Sequence, residues 1–70
     1  MTQKELDKVI KLLNIKASVI RNAIHQGWLE EYRENQKDQL YAQIYFAEQL
    51  TNKVIECNET TWRVDYVKER

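Results

Sequence analysis

Ser18, Arg21, Asn22 and His25 stand at i, i+3, i+4 and i+7, so a helix through them carries all four on one side. These side-chain types hydrogen-bond to bases and phosphates. Arg21 and Asn22 are the candidate base readers, because Arg bonds guanine and Asn bonds adenine in bidentate fashion. From Lys8 to Leu29 the chain has no acidic residue, and that window holds Lys8, Lys11, Lys16 and Arg21. Lys8, Lys11, Lys16, Ser18 and His25 are therefore the candidate phosphate contacts. The plainer account of the same residues is a solvated helix face.

Other constellations offer less. Tyr41 and Tyr45 lie one helical turn apart beside Phe46, which makes these three the candidate partner-binding residues. Tyr32, Trp62 and Tyr66 can also stack or anchor, although a small domain needs aromatic area in its core. Glu30, Glu31, Glu34 and Asp38 form an acidic stretch that suits either a docking patch or a solvated connector. Cys57 is the only cysteine and reads as a small, partly buried side chain. His25 has no neighbouring Ser, Cys or Asp that suggests a catalytic triad. No glycine-rich phosphate loop and no metal-ligand spacing is present. The sequence therefore predicts no catalytic residue, no metal, no cofactor and no enzyme.

The 70 residues make one domain, with eleven basic and eleven acidic side chains and zero formal net charge. Zero charge argues against a protein that coats nucleic acid by bulk electrostatics. The sign is uneven, however. Residues 1–28 carry five basic against two acidic groups, and residues 29–50 carry two against five. A chain this short gains little from its core alone, so a homodimer is expected. The polar N-terminus has no apolar signal-like run and no segment reaches the ~20 apolar residues of a membrane helix. A cytoplasmic protein without membrane contact is the expectation.

The periodicity predicts a mainly α fold. Thr2 and Glu5 fit a capping box, and Leu6, Val9, Ile10 and Leu13 follow helical spacing. A first helix over residues 3–13 ends at Asn14, a residue that tolerates left-handed backbone. A second, over residues 16–26, has Ile15, Val19, Ile20, Ala23 and Ile24 as its apolar side and Gly27 as its stop. Together residues 1–29 read as a helix-turn-helix. A longer helix is expected over residues 36–56, with Leu40, Ile44, Ala47, Leu50 and Val54 inward and Asn58 as the stop. Residues 60–67 alternate Trp62, Val64 and Tyr66 and predict a short strand. Residues 28–33 are its expected partner.

Residues 14–29 resemble the DNA-binding helix-turn-helix of MerR-type regulators and phage excisionases. The resemblance is carried by Asn14-Ile15, Ile20-Arg21 and Gly27-Trp28-Leu29. It implies that the helix of residues 16–26 reads the major groove and that residues 60–67 form a minimal β-wing. Ile10 stands where that family has a small residue, and Glu30 and Glu31 replace basic wing residues. The resemblance implies a small transcriptional or recombination accessory factor of mobile-element type that binds double-stranded DNA. The alternative is a protein-binding module, a small inhibitor or adaptor, that acts through the long helix and the acidic stretch without DNA.

Overall fold

A computed structural model describes residues 2–67. The chain forms two helices and a hairpin: α1 (Gln3–His25), α2 (Glu30–Thr51), β1 (Ile55–Asn58) and β2 (Arg63–Tyr66). The mainly α architecture with a short C-terminal β element is as the sequence predicts. Among the described residues no helix is long and apolar enough to cross a membrane.

The turn expected at Asn14-Ile15 does not form, and α1 runs unbroken for 23 residues. No glycine or proline interrupts it. One continuous stripe, Leu6, Leu13, Ala17 and Ile20, is buried along its length. Asn14 has another use. Its Nδ2 donates to Ile10 O at 3.1 Å and to Val64 O at 2.8 Å, while its Oδ1 accepts from Val64 N at 2.8 Å. The side chain that was expected to end a helix instead fastens a strand to it. The N-terminus is the capping box: Thr2 Oγ1 accepts from Glu5 N at 3.2 Å, and Glu5 Oε1 accepts from Thr2 N at 3.3 Å. Those bonds hold the Glu5 carboxyl below its usual range.

Gly27 ends α1 as expected. With φ +70° it sends its N–H to Ile24 O at 3.2 Å, and Trp28 N reaches Ala23 O at 3.0 Å. This pair of bonds is the Schellman motif, which satisfies carbonyls left open at the helix end. The chain then reverses in four residues. Trp28 packs edge to face on Tyr32 at 5.0 Å, and its carbonyl accepts from Arg33 Nε at 3.0 Å. Residues 28–33 are thus the turn and the first part of α2, not a strand.

α2 starts earlier and stops earlier than residues 36–56. Asn52 takes left-handed backbone, φ 55°, and its N–H bonds Glu48 O at 2.9 Å. Thr51 is buried, and its hydroxyl donates to Ala47 O at 2.7 Å. The inward stripe is Leu40, Ile44, Ala47 and Thr51, while Leu50 and Val54 are exposed. With the helix stopped at Thr51, Val54 leaves the stripe, and Leu50 falls on the side away from the core.

The residues beyond α2 supply the strand's partner. β1 and β2 pair antiparallel, with Cys57 opposite Val64 and Asn58 opposite Arg63. Asn58 is not a helix stop but the start of the hairpin loop: its Oδ1 accepts from Thr60 N at 2.8 Å, and its carbonyl accepts from Trp62 N at 2.7 Å. Trp62 and Val64 point inward as expected and join Leu13, Ala17, Ile20, Leu40, Ile44, Ala47 and Ile55 in one core.

Ladder alternation explains how the hairpin is held. Val67 N donates to Val54 O at 2.7 Å, so Cys57 and Val64 fall at a non-hydrogen-bonded pair. The backbone groups of Val64 therefore point off the sheet, and Asn14 takes both. On the other strand Ile55 N donates to Glu48 Oε2 at 3.0 Å. The hairpin is tied to α1 through Val64 on one edge and to α2 through Ile55 on the other.

Candidate nucleic-acid interface

Asn14 places β2 beside α1, and this juxtaposition builds the site. Lys11, Asn14, Ser18 and Arg21 of α1, with Trp62 and Arg63 of the hairpin, line a shallow groove of about 310 Å³. Three of the six are cations, and none is a carboxylate. Lys11 and Arg21 are exposed on the helix, and Arg63 is exposed on the strand. Among the described residues Lys37 makes ion pairs, to Glu34 at 3.7 Å and to Glu59 at 3.5 Å. Neither involves Lys11, Arg21 or Arg63, and Arg21 is not paired with Glu30 or Glu31.

The lining does not contribute uniformly. Asn14 is fully used by the hairpin and Ile10. Ser18 Oγ donates to Asn14 O at 3.0 Å, which leaves its oxygen only as an acceptor. A phosphate in the groove would therefore meet the cations first. Trp62 is largely buried, with Lys37 Nζ 5.9 Å from its ring centroid, so it forms the floor more than a stacking platform.

The other expected contacts divide. Lys8 lies one turn N-terminal of Lys11, and Asn22 and His25 one and two turns beyond Ser18; all three are exposed. With Lys11, Arg21 and Ser18 they make a row along the free side of α1. Lys16 is not part of it. Its Nζ donates to Gln36 Oε1 at 2.5 Å and Gln39 Oε1 at 2.9 Å, which ties the two helices together on the opposite flank.

The aromatic set also divides. The Tyr41 hydroxyl donates to the Glu59 carboxylate, so this ring is bound to the hairpin loop. Partial burial and the Glu59 contact push the Tyr41 hydroxyl well above its usual pKa, and the same bond lowers that of Glu59. Tyr45 and Phe46 remain exposed and meet edge to face at 6.2 Å. Burial, then the charge of Glu59, raises the Cys57 thiol. Among the described residues no group of three or more His, Cys, Asp and Glu is placed to hold a metal ion.

Arg63 is the groove residue that sequence reasoning missed. Alternation along residues 60–67 puts it on the outward face of a strand, but nothing local says which helix that strand borders. The only signal was an asparagine inside an otherwise regular helical pattern.

No protein-family model, curated protein or solved structure matches this chain.

Proposed function

We propose that the protein binds double-stranded DNA through the α1–β2 flank. In this reading it is a small accessory factor in transcription or recombination. The supporting observation is the groove that brings Lys11, Arg21 and Arg63 together without a carboxylate in its lining. Three cations without an ion pair among the described residues, held by two rigid elements, suit a polyanion, and neutralising phosphates releases counterions, the main source of affinity for duplexes. Residues on regular elements hold that spacing better than residues on loops.

The mechanism differs from that of a helix-turn-helix. No separate first helix crosses the backbone. Instead the free side of α1 lies along the major groove. Arg21 and Asn22 reach base edges, and Lys8, Lys11 and Arg63 contact flanking phosphates. The hairpin acts as a short side rail whose one basic group, Arg63, faces the same strand of DNA as Lys11. Zero net charge makes this contact local, so binding to random sequence is weak and steeply dependent on salt.

A gel-shift titration on duplex DNA at two salt concentrations tests the reading. A complex at low salt that weakens sharply at high salt is expected. The second reading, a protein-binding module acting through α2, draws on the exposure of Tyr45, Phe46 and Leu50. The absence of any complex at low salt would leave that reading in place of the first.

A further inference from the structure

The two edges of the hairpin are not alike. Cys57 faces Val64 at a non-hydrogen-bonded pair, so its N–H and C=O point off the outer edge of β1, as those of Val64 point off β2. Asn14 takes both groups of Val64. Among the described residues nothing takes those of Cys57, although the residue is half-buried and backbone groups in such a setting are nearly always paired. Glu48 reaches this edge only at Ile55 N, at 3.0 Å. Beside the edge, α2 and β1 border a groove of about 450 Å³. Its lining includes the buried Ile44 and Ile55 and the exposed Tyr41 and Tyr45.

We infer that this groove takes an extended segment of a basic partner protein, which adds to β1 as a third strand. The backbone pair of Cys57 supplies main-chain bonds, and the groove takes an apolar side chain from alternate positions of the segment. Charge selects the partner. Glu34, Asp38, Tyr41, Tyr45 and Glu48 share one side of α2 at i, i+4, i+7, i+11 and i+14. The groove lining holds Glu48 and Glu56 and no cation. Lys37, also on α2, is paired with Glu34 and Glu59. An acidic flank of this kind steers a cationic segment toward the open edge. It disfavours a second copy of the chain, because β1 against β1 would bring two acidic flanks together. The polar wall is also fixed in advance, with Tyr41 bonded to Glu59 and Glu48 to Ile55 N. This groove follows the α2 edge of the hairpin and the basic groove follows the α1 edge, so the inference stands whether or not the protein binds DNA.

Nuclear magnetic resonance titration of the full chain with an end-blocked peptide of alternating lysine and valine is the test. In the free protein the Cys57 amide should exchange faster than that of Glu56, which faces Asp65 in the ladder. The peptide should slow exchange at Cys57 and shift the signals of Cys57 and Tyr45. The same peptide N-methylated at its central residues, and one of alternating glutamate and valine, should not bind. Glu48→Gln keeps an acceptor for Ile55 N but loses the charge, and it should raise the dissociation constant roughly five-fold. Circular dichroism checks that the variant folds, and Tyr45→Ala, which should also weaken binding, serves if it does not. Slow exchange of Cys57 in the free protein would overturn the inference, because the edge would already be paired. So would the absence of any change at Cys57 with millimolar peptide. Equal binding of the N-methylated peptide would reduce the contact to charge alone and remove the strand. A dimer mass in sedimentation equilibrium, with Cys57 protected only at high protein concentration, would give the edge to a second copy instead.

Discussion

The carboxamide of Asn14 pairs with both backbone groups of Val64, donating to the carbonyl and accepting from the N–H, each at 2.8 Å. One side chain thus takes the place of a neighbouring strand. It joins two segments 50 residues apart in sequence into one surface, and the groove there is lined by both Arg21 and Arg63.

Asn14→Ala removes that tether. The N–H and C=O of Val64 lose their partners in a half-buried setting, and each unsatisfied group costs ~1–3 kcal/mol. A loss of about 2–4 kcal/mol in urea unfolding is expected, with faster amide exchange at Val64. Asn14→Asp keeps the acceptor but not the donor and should fall between. Unchanged exchange at Val64 in Asn14→Ala would show that the hairpin is held by its core contacts alone.

Gly27→Ala isolates a backbone effect. A Cβ at Gly27 would meet no atom within 4 Å, yet φ is +70°. The expected cost is therefore conformational, about 1–2 kcal/mol. Thermal melts should show it, and the groove and any DNA affinity should be unaffected.

The Tyr41–Glu59 bond has two pH signatures. The folded state raises the Tyr41 pKa, so its contribution is complete below the unfolded tyrosine value and fades as pH climbs past it. The folded state lowers the Glu59 pKa, so its contribution is present above the unfolded carboxylate value and is lost as pH falls through the folded one. Among the four tyrosines, an ultraviolet difference titration should find Tyr41 the last to ionise. Glu59→Gln should bring it nearer the others. Four tyrosines that ionise together would remove this bond from the account.

Arg21→Ala separates stability from binding. Arg21 has no ion-pair partner among the described residues, so the melt should move by no more than ~0.5 kcal/mol, as for an unengaged surface residue. Cognate DNA affinity should fall ten-fold to over a hundred-fold, the loss of one base contact worth ~1–3 kcal/mol. A shifted melt with intact binding would make Arg21 a structural residue only.

Local chemistry made much of the fold legible. The Thr2–Glu5 box, the Gly27 stop, and the inward Trp62 and Val64 depend on a few adjacent residues, and all stand as read. The breaks at Asn14 and Asn58 were misread because asparagine suits helix ends, hairpin loops and side-chain tethers alike. Only the partner, Val64 for Asn14 and Thr60 for Asn58, separates those uses. The strand's pairing with residues 55–58 was hidden for a similar reason: Ile55 and Cys57 fit a helical period as well as an alternating one. The row of Ser18, Arg21, Asn22 and His25 was legible because it needs only a helix, whereas its continuation to Lys8 and Lys11 depends on α1 running unbroken through Asn14. Arg63's place in the groove and Lys16's absence from it required tertiary structure.

The most direct test of the central claim is the salt dependence of duplex-DNA binding by Arg63→Ala beside the wild type. Fluorescence anisotropy on one DNA duplex over a salt series reads it. If Lys8, Lys11 and Arg63 each neutralise a phosphate, the wild-type log–log slope is about −3, and Arg63→Ala reduces it by about one. An identical slope for the two proteins, or no complex at the lowest salt, would contradict a DNA site at the α1–β2 groove.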